Sequence, residues 1–194
     1  MLTATVDEEI ARVFLTLPED DERLAPILGR GEEVREQLRL LTHAGSSGRV
    51  IRTHGDYHLG QTLLARNDWV LLDFEGEPAR TLVERRRKRS PLRDVAGMLR
   101  SFAYAATAAE LTRDADVPED WEERARERFL ESYLERVDGA LLPSGEAAIE
   151  RLLAVFELEK AVYELRYELD NRPDWVGIPV AGIERLMQQA AEAL

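Results

Sequence analysis

Arg52-Thr53-His54-Gly55-Asp56-Tyr57-His58-Leu59-Gly60-Gln61, followed from residue 71 by Leu71-Leu72-Asp73-Phe74-Glu75, decides how the rest of this chain is read. It places an Asp in a tight polar loop, a carboxamide five residues later and a second Asp at the end of an apolar run. His-Gly-Asp alone could be a plain turn, because Gly permits positive φ and Asp hydrogen-bonds locally. The spacing to Gln61 and Asp73 raises the segment above that. Phosphoryl transfer from a nucleotide needs one carboxylate to orient the attacking hydroxyl and take its proton. It also needs an amide and a second carboxylate to hold the metal on the phosphates. Asp56 fits the first role, and Gln61 and Asp73 fit the second. Gln61 stands where Asn is usual, so its carbonyl oxygen reaches a hard cation from one methylene further away. Glu75, two residues past Asp73 in a segment read as extended, is expected on the same side, joining the metal shell or restraining the loop.

In the protein-kinase pattern a catalytic Asp is followed at the fifth position by a metal-binding Asn, and later by Asp-Phe-Gly. The His-Gly-Asp-x-His form at residues 54–58 resembles the aminoglycoside and small-alcohol phosphotransferase branch of that fold. Three blocks are similar to the maltokinases: His54-Gly55-Asp56-Tyr57-His58-Leu59-Gly60-Gln61 with Asp73-Phe74-Glu75-Gly76-Glu77-Pro78, Ser90-Pro91-Leu92-Arg93-Asp94-Val95-Ala96-Gly97, and Glu159-Lys160-Ala161-Val162-Tyr163-Glu164 through Asn171-Arg172-Pro173-Asp174-Trp175. The resemblance implies an α+β, mostly helical, protein-kinase-like C-lobe whose small β-hairpins carry the catalytic and metal loops. It implies ATP, Mg2+ and maltose as ligands, and trehalose synthase as a partner, because some maltokinases are fused to it. It also implies that Asp94 hydrogen-bonds the catalytic-loop backbone, although an Asp favoured by the positive end of a helix explains that residue equally well.

On the segment around 160–175, Lys160, Glu164, Tyr167 and Asn171 recur at helical spacing, with Tyr163 beside them. Arg172 and Trp175 follow at the helix end, where an indole can stack on a pyranose. The resemblance implies that this face, with His58, binds the acceptor sugar; without it, surface ion pairs and core aromatics explain the same residues. His54 and His58 invite a zinc reading, but zinc sites want three or four converging ligands and the chain has three histidines. A hydrogen-bonding role that supports the catalytic loop is favoured, for His54 above all.

A kinase of this type also needs a strand-borne Lys and a phosphate-covering loop. No strand-turn-strand pattern precedes His54, and Lys88 and Lys160 are the only lysines. The chain is therefore expected to be a C-terminal lobe without its nucleotide-binding N-lobe, binding ATP poorly and turning over little by itself. Two alternatives stay open: a non-catalytic module that docks on trehalose synthase, and a phosphotransferase acting on an aminoglycoside or amino alcohol.

At 194 residues with 44% hydrophobic content, one domain is the default. A net charge of −12 argues against nucleic acid, whose phosphates demand clustered cations. The run Arg85-Arg86-Arg87-Lys88-Arg89 reads as a solvated connector, with contact to a nucleotide or product as the sharper option. There is no cysteine, no signal-peptide pattern and no apolar run long enough to span a bilayer, so a cytoplasmic location is expected.

Along the chain, residues 1–48 read as a helical lead-in, 49–80 as catalytic and metal loops, and 90–194 as a helical bundle with the acceptor site. Thr5-Val6-Asp7-Glu8 has capping-box spacing for a helix to Leu17. A second helix spans Glu32–Leu41, ending in the turn 44–48. Val50-Ile51, Thr62–Leu64 and Trp69–Leu72 are β-prone, with a turn at Asn67-Asp68. Ser90-Pro91 starts a helix with a buried stripe of Leu92, Val95, Leu99, Phe102 and Ala106. Further helices are expected from Pro118 to Val137, from Ser144 to Asn171, and over 181–193.

Overall fold

The computed structural model describes residues 2–42, 48–76 and 81–192. Among these there are seven helices and one antiparallel ribbon: α1 Leu2–Leu15, α2 Gly31–Thr42, β1 Thr62–Ala65, β2 Asp68–Leu71, α3 Leu82–Arg85, α4 Leu92–Arg113, α5 Trp121–Arg136, α6 Glu146–Asn171 and α7 Gly177–Glu192. Short 3-10 turns lie at Glu22–Leu24, Leu59–Gln61, Gly139–Leu141 and Pro173–Trp175. The class is α+β and mostly helical, as the pattern led one to expect.

The chain packs as two compact units, Met1–Gly45 with Glu150–Leu194 and Ser46–Ile149. In the first unit the lead-in shares a core with the last two helices. Val6, Ile10 and Val13 of α1, Leu24 and Ile27 of the following turn, and Val34 and Leu38 of α2 are buried with Leu158, Val162 and Leu165 of α6 and Val180 and Ile183 of α7. Each fully buried aliphatic side chain contributes about 1.5–3 kcal/mol, which makes this shared core the main tie between segments far apart in sequence. A forked ion pair, Arg35 Nε and Nη2 to the two Asp7 carboxylate oxygens at 2.9 and 2.6 Å, joins α2 to α1.

Element ends differ from the expected ones for local reasons. Thr5 is already inside α1, because the preceding Leu and Ala residues are good helix formers that extend it past the capping signal. Pro179 lies in the first turn of α7, not before it; an N–H there has no intrahelical partner to lose. Helix α4 starts at Leu92, one residue later than expected, with Ser90 Oγ accepting from the Leu92 amide at 3.4 Å. Most of the expected turn at 44–48, and residues 77–80 and 193, lie outside the described residues.

Among the described residues of the second unit one hairpin forms. Its register pairs Thr62 with Leu71 and Ala65 with Asp68, which moves the turn to Arg66-Asn67, one residue earlier than expected. Both central residues have positive φ, 52° and 64°, the geometry whose twist matches flanking strands. Ile51 makes only an isolated bridge with Arg89. The side chains of Leu63, Leu64, Trp69, Val70 and Leu71 are all open to water. In α4 the stripe Leu92, Val95, Leu99 and Phe102 is buried while Ala106, expected to continue it, is only partly so, and the Phe102 ring meets Trp121 and Phe129 of α5 edge-on at 6.3 and 5.9 Å.

Candidate active site

The loop carrying Asp56 is held from two directions. Asp94, in the first turn of α4, accepts the His54 amide on Oδ2 at 2.6 Å and the Gly55 amide on Oδ1 at 2.9 Å. Burial pushes the Asp94 carboxyl above its usual range, and the two amides pull it back toward ionisation. Gly97, one turn further along α4, leaves room for the Tyr57 carbonyl, since a Cβ there would sit 2.7 Å from that oxygen. Ser101 Oγ accepts the Leu59 amide at 3.2 Å. One helix face thus fixes the loop at four successive points of its backbone.

His54 supplies the second hold. The ring is buried; Nε2 lies 2.6 Å from the Leu72 carbonyl, and Nδ1 accepts the Asp56 amide at 3.3 Å. A carbonyl can only accept and an amide can only donate, which assigns the ring proton to Nε2. Phe74 packs on the same ring at 4.8 Å and Tyr57 at 5.6 Å. With both nitrogens committed to the backbone, His54 has no lone pair for a metal, which removes the zinc reading.

These contacts bring the end of β2 against the loop. Leu72 N–H donates to the Gln61 carbonyl at 2.9 Å, and the Gln61 side-chain amide donates to Asp73 Oδ2 at 3.4 Å. Asp73 has φ of +58°, a left-handed conformation that Asp tolerates better than most residues. That bend defeats the expected placement of Glu75, because side chains two apart share a side only in extended chain. The Glu75 carboxylate points to water at 82% exposure, 4.0 Å from Arg85. Its carbonyl accepts from Arg85 Nη1 at 3.4 Å, and the Arg85 side chain lies along Gly76. The arginine run is therefore not wholly a solvated connector.

Gln61 and Asp73 offer a carboxamide and a carboxylate side by side. Rotating the carboxamide by half a turn presents its oxygen, and the resulting pair of hard oxygens suits Mg2+, which takes few protein ligands and completes its shell with phosphate and water. Among the described residues no cluster of three or more His, Asp or Glu forms a metal cage, so a cation here would depend on substrate oxygens. His58 caps the 3-10 turn, Nδ1 accepting the Gly60 amide at 3.1 Å, with Nε2 3.8 Å from Asp56 Oδ2.

The other candidate residues lie together in the first unit. Along α6, Lys160 Nζ sits 5.2 Å from the Tyr163 ring, and Tyr163 stacks on Tyr167 at 6.5 Å. The Arg172 guanidinium lies between the Tyr167 and Trp175 rings, 5.4 and 4.8 Å from their centroids. Glu164 is buried on this helix, and Asn171 Nδ2 closes its C-terminal end by donating to the Tyr167 carbonyl at 2.8 Å. Sequence reasoning missed Gly97, Ser101, Glu168 and Arg23. An isolated Gly in a helical pattern signals close backbone approach and could have identified Gly97; Glu168 is one turn before Arg172, an ion-pair spacing. Ser101 and Arg23 carry no such signal.

No protein-family model matches the chain. It is 28% identical to the glucosamine kinase of Streptacidiphilus jiangxiensis over 186 residues, 94% of this chain and 41% of that protein. It is 30% identical to the glucosamine kinase of Mycolicibacterium smegmatis over 142 residues, 72% of this chain and 35% of that protein. The chain therefore spans less than half the length of the curated relatives it matches. Among solved structures, a glucosamine kinase in crystal form A superimposes with a TM-score of 0.83 at 23% identity, covering 98% of this chain and 47% of that one. A glucosamine kinase in complex with glucosamine, ADP and inorganic phosphate also gives 0.83 at 23% identity, over 98% and 48%. The relatives are sugar kinases rather than maltokinases by name, and the chain has the fold of the corresponding part of a glucosamine kinase.

Proposed function

We propose that this chain is the catalytic and acceptor half of an ATP-dependent sugar kinase, with an amino sugar of the glucosamine type as acceptor. The observation that carries the reading is the pairing of Gln61 with Asp73 beside a catalytic loop braced by His54 and Asp94. The two sugar-kinase relatives and the solved complex with glucosamine and ADP supply the substrate class. In this reading Asp56 orients the attacking hydroxyl and takes its proton as the new O–P bond forms and ADP leaves. Gln61 and Asp73 hold Mg2+, which when bound neutralises charge on the transferring phosphoryl group. Lys160, Tyr163, Glu164, Tyr167, Asn171, Arg172 and Trp175 take the sugar, with His58 near Asp56.

The test fuses the chain behind the N-terminal half of the Streptacidiphilus jiangxiensis glucosamine kinase and assays transfer from ATP to D-glucosamine. Asp56→Asn is expected to lower kcat about a hundredfold or more, the usual weight of a positioned general base. Transfer that survives Asp56→Asn sinks the mechanism. Maltose is the second reading, favoured by the Asn171-Arg172-Pro173-Asp174-Trp175 block; a fusion that phosphorylates maltose and ignores glucosamine moves the acceptor assignment there. Failure of both sugars, with stable binding to trehalose synthase, favours the non-catalytic module.

A further inference from the structure

We infer that Glu168 is a positioning residue for the acceptor sugar: it aims Arg172, through Arg172 it sets the Trp175 indole, and its charge makes the platform selective for a cationic sugar. This rests on the acceptor reading of the α6 face given above. Glu168 is sealed from solvent at 1% exposure. Both its carboxylate oxygens are taken by the Arg172 fork, Nε to Oε2 at 2.8 Å and Nη2 to Oε1 at 2.6 Å. A helix-stabilising surface pair leaves its carboxylate in water. Here the carboxylate is the buried partner and the Arg172 side chain, 45% exposed, is the open one. Burial of one end fixes the other, because a bidentate fork allows a single guanidinium plane. The guanidinium carbon lies over both the Tyr167 and Trp175 rings, 5.4 and 4.8 Å from their centroids.

A second clamp acts on the same turn. Arg23 donates to the Pro173 carbonyl at 2.6 Å and is itself forked on Asp21 at 2.8 and 2.6 Å. The backbone between Arg172 and Trp175 is closed by the Trp175 amide on the Arg172 carbonyl at 2.9 Å. Trp175 therefore stands on a turn held at its start by Glu168 and at its middle by Arg23, the rigid support that stacking on a sugar face requires. Charge adds the selectivity. Beside Glu168 the Arg172 cation is compensated, so the ammonium of an amino sugar can approach. Without Glu168 the open guanidinium repels it, while a neutral sugar is indifferent to the change.

The test uses the whole chain, with titration calorimetry of D-glucosamine and of D-glucose and the indole N–H resonance of Trp175 in a nitrogen-15 spectrum. Glu168→Gln is expected to weaken D-glucosamine about tenfold, the weight of one charge-assisted hydrogen bond, and D-glucose by clearly less. The Trp175 resonance should shift while those of Trp69 and Trp121 stay. Should Glu168→Gln fail to fold, Arg172→Lys reads the same clamp from its open end, with the same Trp175 shift expected. An unmoved Trp175 signal in the folded variants overturns the clamp, and equal losses for the two sugars overturn the selectivity. A wild-type chain that binds neither sugar overturns the acceptor reading and the selectivity that rests on it, while the Trp175 signal still decides the clamp.

Discussion

The ring of His54 joins the carbonyl of Leu72 to the amide of Asp56, so the residue just before one candidate metal ligand and the candidate base share a single imidazole. Neither contact leaves the backbone on its far side, which makes the ring a spacer of fixed length between the two loops.

Replacing it should therefore loosen both loops together. His54→Ala removes two hydrogen bonds and a buried ring, at a cost of about 2–4 kcal/mol. Urea melts should show that loss, and amide exchange at Asp56 should speed far more than exchange within α6. A variant with unchanged Asp56 exchange contradicts the spacer role.

Asp94→Asn takes the charge from the acceptor of two loop amides and turns one oxygen into a donor that faces the His54 or Gly55 N–H. A stability loss of about 1.5–3 kcal/mol is expected. The pH dependence has a definite sign. Because burial raises the native Asp94 pKa, the native chain keeps a proton that the unfolded chain has released, just above the ordinary carboxylate value. The contribution of this group to stability falls as pH rises through that window. Melts across the window should show this slope in the wild type and lose it in Asp94→Asn.

At Gly97 two effects oppose each other. Alanine gains up to about 1 kcal/mol of helix propensity, yet its Cβ would meet the Tyr57 carbonyl at 2.7 Å. Crowding of that kind costs about 1–3 kcal/mol, and the obstacle is backbone, so crowding wins. Gly97→Ala should be less stable than wild type, with chemical-shift changes concentrated at residues 56–59.

In the first unit the Asp7–Arg35 fork predicts the opposite pH trend. The Arg35 hydrogen bonds hold the Asp7 carboxyl below its usual range. Its contribution is complete above the unfolded value and is lost as pH falls through the lowered native one. Asp7→Asn should cost about 0.5–1 kcal/mol near neutrality, given the solvent screening at this partly open pair, and progressively less in acid. High salt should shrink the difference; a difference that grows in acid would reverse the assignment.

What could be read from the residues alone was what is local. Asp56, Gln61 and Asp73 lie within eighteen positions, so spacing carried the information, and the buried stripe of α4 followed from helical period. The joint core of α1, α2, α6 and α7 depends on contacts more than a hundred residues apart, which no local pattern encodes. The left-handed turn at Asp73 was equally hidden, because Asp does not demand it as Gly would, and with it went the placement of Glu75. Glu168 stands at an ion-pair spacing from Arg172, but its burial, where Asp170 nearby is exposed, shows only in the fold.

Gly55 has φ of +88°, and a Cβ added there would lie 3.1 Å from the Cα of Gly76, on the far side of the Asp73 bend. A side chain at 55 is thus refused twice, once by its own backbone and once by a neighbour twenty-one positions away. Gly76 has no side chain left to give up, so only a detour of the main chain itself would admit a larger residue at 55.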